Sequence, residues 1–250
     1  MANRIYALSD LHGHYLILLA MLKKINFDDS DTLYILGDCN DRGSKSLEIY
    51  DYIMQHRKNI ILLKGNHELM MRDVMIRDTW DCPDGRLWSR NGGKKTMALI
   101  EERCKNGCSS DEETEEVRKA YCQDMIRFIN ECPNFVELNV NGQDFVLIHS
   151  GMNPEKSLYE QDEEECCWMR EWFYMSPGLE NKLIIFGHTP TNHIHGSSNK
   201  FDIWKDPIYK DKIGIDGGLG SFEDGQLNCI CLNDMSVTVL KKKEVDGEEI

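Results

Sequence analysis

Five short apolar runs, at residues 5–8, 33–36, 60–63, 145–148 and 183–186, each stop one to three residues before an aspartate, asparagine or histidine. Runs this short and this rich in β-prone residues read as buried strands. In layered α/β folds, ligands gather at the carboxyl ends of such strands, so Asp10, His12, Asp38, Asn66, His149 and His188 are expected to meet in one site. Between the first strands the pattern turns helical. Tyr15–Lys24 is apolar with a basic end, residues 44–57 start on a Ser44 cap and end basic, and a third helix follows Glu68 to about Arg77. Pro83, Asp84-Gly85 and Gly92-Gly93 predict a loop over residues 80–93. Helices are expected at 94–105 and 112–130, the second opening on glutamates that suit a helix N-terminus. From Phe135 the chain turns β-rich: Phe135–Val140 and Gln143–Ile148 form a hairpin about Asn141-Gly142, and strands are predicted at 213–215, 228–232 and 236–240. The organisation is a single α/β domain over 1–240, with a helical insertion or cap near 104–132 and a charged tail at 241–250 that is expected to fray.

Length and charge narrow the function classes. A chain of 250 residues can bury a full core as one domain. No apolar stretch approaches the roughly 20 residues that span a bilayer. Met1-Ala2-Asn3-Arg4 runs straight into the first strand, without the pattern of a secretion signal. A cytoplasmic protein with no membrane partner is expected. The net charge of −14, from 43 acidic and 29 basic residues, argues against nucleic acid as a partner. It leaves phosphorylated substrates open, because bound metal ions reverse the local field. The ten cysteines are irregularly spaced without a Cys-x-x-Cys pair, and free thiols are the expectation. Cys39 adjoins Asp38, so its oxidation would disturb the site.

Three motifs narrow the chemistry further: Asp10-Leu11-His12-Gly13, Gly37-Asp38-Cys39-Asn40-Asp41-Arg42-Gly43 and Gly65-Asn66-His67-Glu68. With His149 and Gly187-His188-Thr189 they resemble, in order, the motifs of the phosphoprotein phosphatase family of metallophosphoesterases, above all its small bacterial and bacteriophage-type members. The resemblance runs from about Ile5 to Leu240 and is weakest near 104–132. It implies a calcineurin-like metallophosphoesterase fold, a central β-sandwich flanked by helices. It also implies a dinuclear site for divalent metal ions, manganese first, with iron or zinc as alternatives. Carboxylate, imidazole and amide oxygens suit such ions. By resemblance, Asp10 and His12 hold one ion, Asn66, His149 and His188 the other, and Asp38 bridges both. The nucleophile is then a metal-bridging hydroxide, and no serine or cysteine nucleophile is needed.

The same resemblance gives His67 the general-acid role, with Asp41 holding its ring. Arg42 offers a planar fork for phosphate oxygens, and Arg170, in Trp168-Met169-Arg170, is the expected second clamp. Asn66 also counts among the substrate contacts. His14 is read as a second layer behind the ligands or as a helix cap, and His193 and His195 as surface residues. Trp88, Asn91, Gly92, Gly93 and Thr96 resemble a segment of the small bacterial members that lines the cleft, although loop packing also accounts for them. Residues 162–165, four acids in a row, read as a solvated face or as a rim of the cleft that disfavours acidic substrates. Asn40 departs from the family, which usually has valine there. The leading expectation is a serine/threonine protein phosphatase acting on phosphoproteins or small phosphorylated substrates. The alternatives are a symmetrical diadenosine tetraphosphate hydrolase and a non-catalytic phosphoprotein-binding module.

Overall fold

The computed structural model describes residues 3–245, so Met1, Ala2 and residues 246–250 of the charged tail lie outside the described residues. The chain opens with β1 (Ile5–Leu8), α1 (Tyr15–Lys24), β2 (Thr32–Ile35), α2 (Ser46–Gln55), β3 (Ile60–Leu62) and α3 (Asn66–Arg77). This alternation lays the three strands side by side in parallel. Next come α4 (Pro83–Arg90), α5 (Gly93–Lys105) and α6 (Asp111–Glu131), followed by the hairpin of β4 (Phe135–Val140) and β5 (Gln143–Ile148). Short helices α7 (Glu163–Trp168) and α8 (Glu171–Tyr174) lead into β6 (Lys182–Phe186) and α9 (Thr191–Ile194). The remaining strands are β7 (Trp204–Lys205), β8 (Lys212–Gly214), β9 (Gln226–Cys231) and β10 (Val237–Lys241).

The strands form two mixed five-stranded sheets, β10-β9-β1-β2-β3 and β4-β5-β6-β8-β7. Side chains alternate across a strand, and β1 shows the result. Ala7 joins the core between the sheets with Leu36, Phe145, Leu147 and Ile185, whereas Tyr6 and Leu8 join the helical core. That helical core includes Cys104, Met125 and Phe128 from the 104–132 segment, with the Phe128 ring edge-on to Tyr50 at 6.0 Å. A third cluster, centred on Phe173 and Phe186, covers the outer face of the second sheet. The result is the expected α/β sandwich flanked by helices.

Three local expectations differ. The predicted loop over 80–93 contains α4: Pro83 takes the first helical position, where its missing N–H costs nothing, and the Cys82 Sγ caps the helix by accepting from the Gly85 amide at 3.2 Å. The helix expected from Ser44 begins at Ser46 without a side-chain cap. Arg42 and Gly43 are still turning there, with Arg42 at a φ of 63° and the Gly43 amide bonded to the His12 carbonyl. α3 begins at Asn66, before Glu68, because the Glu68 carboxylate reaches back to the Gly65 amide at 2.9 Å. Of the tail, only residues 241–245 are described: Lys241 ends β10, a 3₁₀ turn follows, and Val245 is buried in the helical core.

A methyl group added at Gly93 would fall 2.3 Å from the Trp88 ring. Gly93→Ala is therefore expected to cost about 1–3 kcal/mol by overpacking, read as a lower urea midpoint at unchanged slope; an unchanged midpoint would show that Trp88 is not locked in place.

Candidate active site

The chain bends hard as it leaves its strands. Asp10, His12, Asp38, Asp41, Arg42 and His188 all have positive φ, which non-glycine residues adopt at a cost and which concentrates at functional sites. These bends turn side chains toward one cavity of about 180 Å³. Asp10, His12, Asp38, Arg42, Asn66, His67, Arg170 and His188 all line it. The other two candidates, Asp41 and His149, are fully buried behind it.

Glu68 ties these loops together. Its buried carboxylate accepts from the amides of Asp38 and Cys39 at 2.8 Å each, from Gly65 at 2.9 Å and from the Tyr50 hydroxyl at 3.0 Å. Sequence reasoning gave this residue no role, although it closes the Gly65–Glu68 motif. Asn40, the unusual residue before Asp41, joins the same network. Its side-chain oxygen shares the single Tyr50 hydroxyl proton with Glu68, at 2.9 Å, and its amide donates to the His67 carbonyl at 3.3 Å.

Asp38 stands between two groups of imidazoles. Its Oδ2 lies 3.7 Å from His12 Nε2 and 3.8 Å from His67 Nε2, and its Oδ1 lies 3.5 Å from His149 Nε2. His12, Asp38 and His67 form one set of potential ligands, and Asp38, His149 and His188 form another. Asp10 is in neither set: its Oδ2 accepts from the His188 amide at 2.9 Å, at the cavity wall. His149 Nδ1 donates to the Leu36 carbonyl at 2.5 Å and His12 Nδ1 to the Asn40 carbonyl at 2.9 Å, which leaves each Nε2 as a bare lone pair. The His149 lone pair faces Asn66 Oδ1 at 3.0 Å, and the buried His188 Nε2 has no partner among the described residues. Lone pairs turned toward one another on buried side chains fit a divalent cation. The electrostatics agree: burial pushes His12 and His188 well down, so they stay neutral, and it pushes His67 down as well. Burial and the Asp10 charge push Asp38 well up.

His67 is set by a second network. Its Nδ1 lies 2.5 Å from Asp41 Oδ2, which also accepts from the Trp88 indole at 2.8 Å, while the Thr96 hydroxyl donates to Oδ1 at 2.5 Å. Burial pushes Asp41 up to about 7, with the Thr96 and Trp88 bonds opposing the rise. Trp88 and Thr96 thus do more than pack, and Asn91 lines the cavity itself. Arg42 bonds the Ser221 hydroxyl at 2.7 Å and stands 3.3 Å from His67 Nε2, and Arg170 bonds the Thr189 hydroxyl at 3.1 Å.

The structure also corrects several expectations. His193 is exposed but lines the cavity, against Phe222; His195 is half-buried beside the Asp202 carbonyl. The acids at 162–165 do not line the cavity. Asp162 caps α7, Glu163 pairs with Arg72 at 2.6 Å and Lys64 at 3.3 Å, and Glu165 pairs with Lys156 at 2.7 Å. Cys39 is fully buried with its thiol pushed well up, unlike the exposed thiolates that oxidise readily. Asp216, which sequence reasoning missed, is buried in the cavity wall and pushed well up by burial and by Asp10. Its signal was present: it directly follows the predicted strand at 213–215.

A cavity of carboxylates and imidazoles faced by two arginines defines a metal-dependent phosphoesterase. The family model for calcineurin-like phosphoesterases matches residues 3–210, and the chain belongs to that family. It is a metal-binding hydrolase of phosphate esters. Serine/threonine-protein phosphatase 2 of Salmonella typhimurium is 27% identical over 210 residues, covering 80% of this chain and 86% of that protein. The symmetrical bis(5'-nucleosyl)-tetraphosphatase of Klebsiella pneumoniae is 38% identical over 85 residues, 34% of this chain and 30% of that protein. Among solved structures, a putative diadenosine tetraphosphatase has the same fold, with a TM-score of 0.62 at 16% identity over 96% of this chain and 93% of that one.

Glu68→Gln would turn an amide N–H₂ toward backbone donors. It should lower stability by about 2–4 kcal/mol in urea unfolding; a change within 0.5 kcal/mol would reject the carboxylate as the tie between loops.

Proposed function

We propose that the protein is a dinuclear serine/threonine protein phosphatase that hydrolyses phosphate monoesters. The observation that carries this reading is the Asp38 carboxylate, with one oxygen toward His12 and the other toward His149, beside the His67–Asp41 pair. Asp10 and His12 would hold one divalent ion, Asn66, His149 and His188 the other, and Asp38 both. Manganese suits this mixed oxygen and nitrogen set, as do iron and zinc. Two such ions, when bound, acidify a water toward neutral pH and neutralise charge on the phosphoryl oxygens.

The chain's own residues supply the rest. Arg42 and Arg170 face the cavity and would orient the phosphate through their planar forks. His67 would give the leaving alkoxide its proton from Nε2, while Asp41 holds Nδ1 and stabilises the charged ring. Trp88 and Thr96 fix Asp41 and so aim the ring. The phosphatase relative aligned over most of both chains favours a phosphoprotein substrate. Cleavage of a dinucleotide tetraphosphate is the second reading, favoured by the shared fold and the shorter local match to the tetraphosphatases. A cytoplasmic setting is part of the proposal: all ten cysteines are free. Among the described residues no helix is long and apolar enough to cross a membrane.

The deciding experiment compares manganese-loaded protein on a phosphoserine peptide and on diadenosine tetraphosphate. A hundredfold higher kcat/KM for the peptide supports the phosphatase; the reverse assigns the tetraphosphatase. Asp38→Asn should weaken both ions in calorimetric titration, and loss of one ion alone would contradict the bridge. His67→Asn should lower kcat by about 100- to 10,000-fold on phosphoserine and far less on p-nitrophenyl phosphate, whose leaving group needs no proton. Equal losses on the two substrates would remove His67 from the acid role.

A further inference from the structure

A second cavity, of about 310 Å³, opens beside the metal cavity and shares Arg42 with it. Arg42, Lys45 and Lys95 line it, and among the described residues no carboxylate does, on a chain whose net charge is −14. The Lys95 ammonium donates to the Arg42 carbonyl at 2.9 Å and keeps two further donors. Lys45 lies 3.6 Å from Glu48, at a half-exposed site where water screens the pairing. The first turn of α1 and the Ser44–Lys45 segment that leads into α2 line this cavity, neither helix is capped by a side chain, and α1 carries no acid in its first turn, whereas α2 carries Glu48. Their free amides add to the positive field. Beneath them the fully buried Ser46 hydroxyl has no partner among the described residues. It sits 2.9 Å from where a Cβ on the cavity-lining Gly13 would be.

We propose that the cavity of Lys45 and Lys95 takes an anionic side chain of the substrate, a carboxylate or a second phosphate, near the phosphoresidue held in the metal cavity. This assignment rests on the phosphoprotein reading above. It makes the enzyme select acidic or multiply phosphorylated segments despite its own net negative charge, because the local field and not the distant charge acts within a Debye length of about 8–10 Å. A lysine pair suits either anion, since an ammonium binds as a point charge without the directional demand of a guanidinium.

The test is a series of phosphoserine peptides in which one glutamate, or one second phosphoserine, moves position by position through a neutral sequence. Wild-type protein should prefer one placement by about tenfold in kcat/KM, and added salt should erode that preference. Lys45→Ala should abolish it, Lys45→Arg should retain it, and both should keep wild-type turnover of p-nitrophenyl phosphate. Lys95→Ala should reduce the preference as well. Hydrolysis of every peptide at one rate, or a preference that survives both alanine substitutions, would overturn the second cavity while sparing the phosphatase reading. Absence of any peptide hydrolysis, with p-nitrophenyl phosphate still cleaved, would instead overturn the phosphoprotein reading and the peptide subsite with it. A fall in diadenosine tetraphosphate cleavage in Lys45→Ala would then assign the cavity to the distal phosphates of a nucleotide.

Discussion

The carboxylate of Glu68 is the constraint on which the site depends. A charge in a dry interior is tolerable only when donors surround it, and three backbone amides and a phenol do so here. Those donors come from the loop after β2, from the turn after β3 and from α2. One side chain therefore sets the distance between the Asp38 loop and the start of α3, which carries Asn66 and His67. The His67 amide then donates to Asp38 Oδ1 at 3.0 Å, closing the arrangement from the other side.

Around that tie the cavity collects more acceptors than the protein can supply with donors. Asp10, Asp38 and Asp216 crowd together, and burial raises the last two. His12 and His149 present lone pairs because their other nitrogens are committed to carbonyls. Such a surplus is costly in an isolated fold and is relieved by a cation, so the fold and the affinity for metal share one origin.

Much of this was legible in the chain. The short apolar runs ending before ligand-type residues marked the strands, and the hairpin at Asn141-Gly142 fell on its predicted bounds. The polar candidates came together because each strand exit is local in sequence even though the exits are far apart from one another. What was not legible depends on partners distant in sequence. Pro83 and Gly85 looked like loop markers, and only the cap at Cys82 and the packing of Trp88 made them a helix. Glu68 carried no visible role because its partners are backbone amides, which have no sequence signature. Asp216 was overlooked because its strand precedes no familiar motif. The acids at 162–165 suggested a rim, but Asp162 caps α7, Arg72 and Lys64 hold Glu163, and Lys156 holds Glu165.

The order of strands in the first sheet bears on how the molecule is made. β1, which launches Asp10 and His12, lies between β2 and β9, and β9 is closed in turn by β10. A nascent chain on the ribosome can form the parallel β1–β2–β3 unit early, but β1 keeps one edge bare until residues near 230 emerge. Unpaired edges of that kind invite pairing with other chains. Synthesis must therefore pass Cys231 before Asp10 and His12 gain a rigid base, so a product stalled or clipped just before β9 would carry all the motifs and lack the support that holds them.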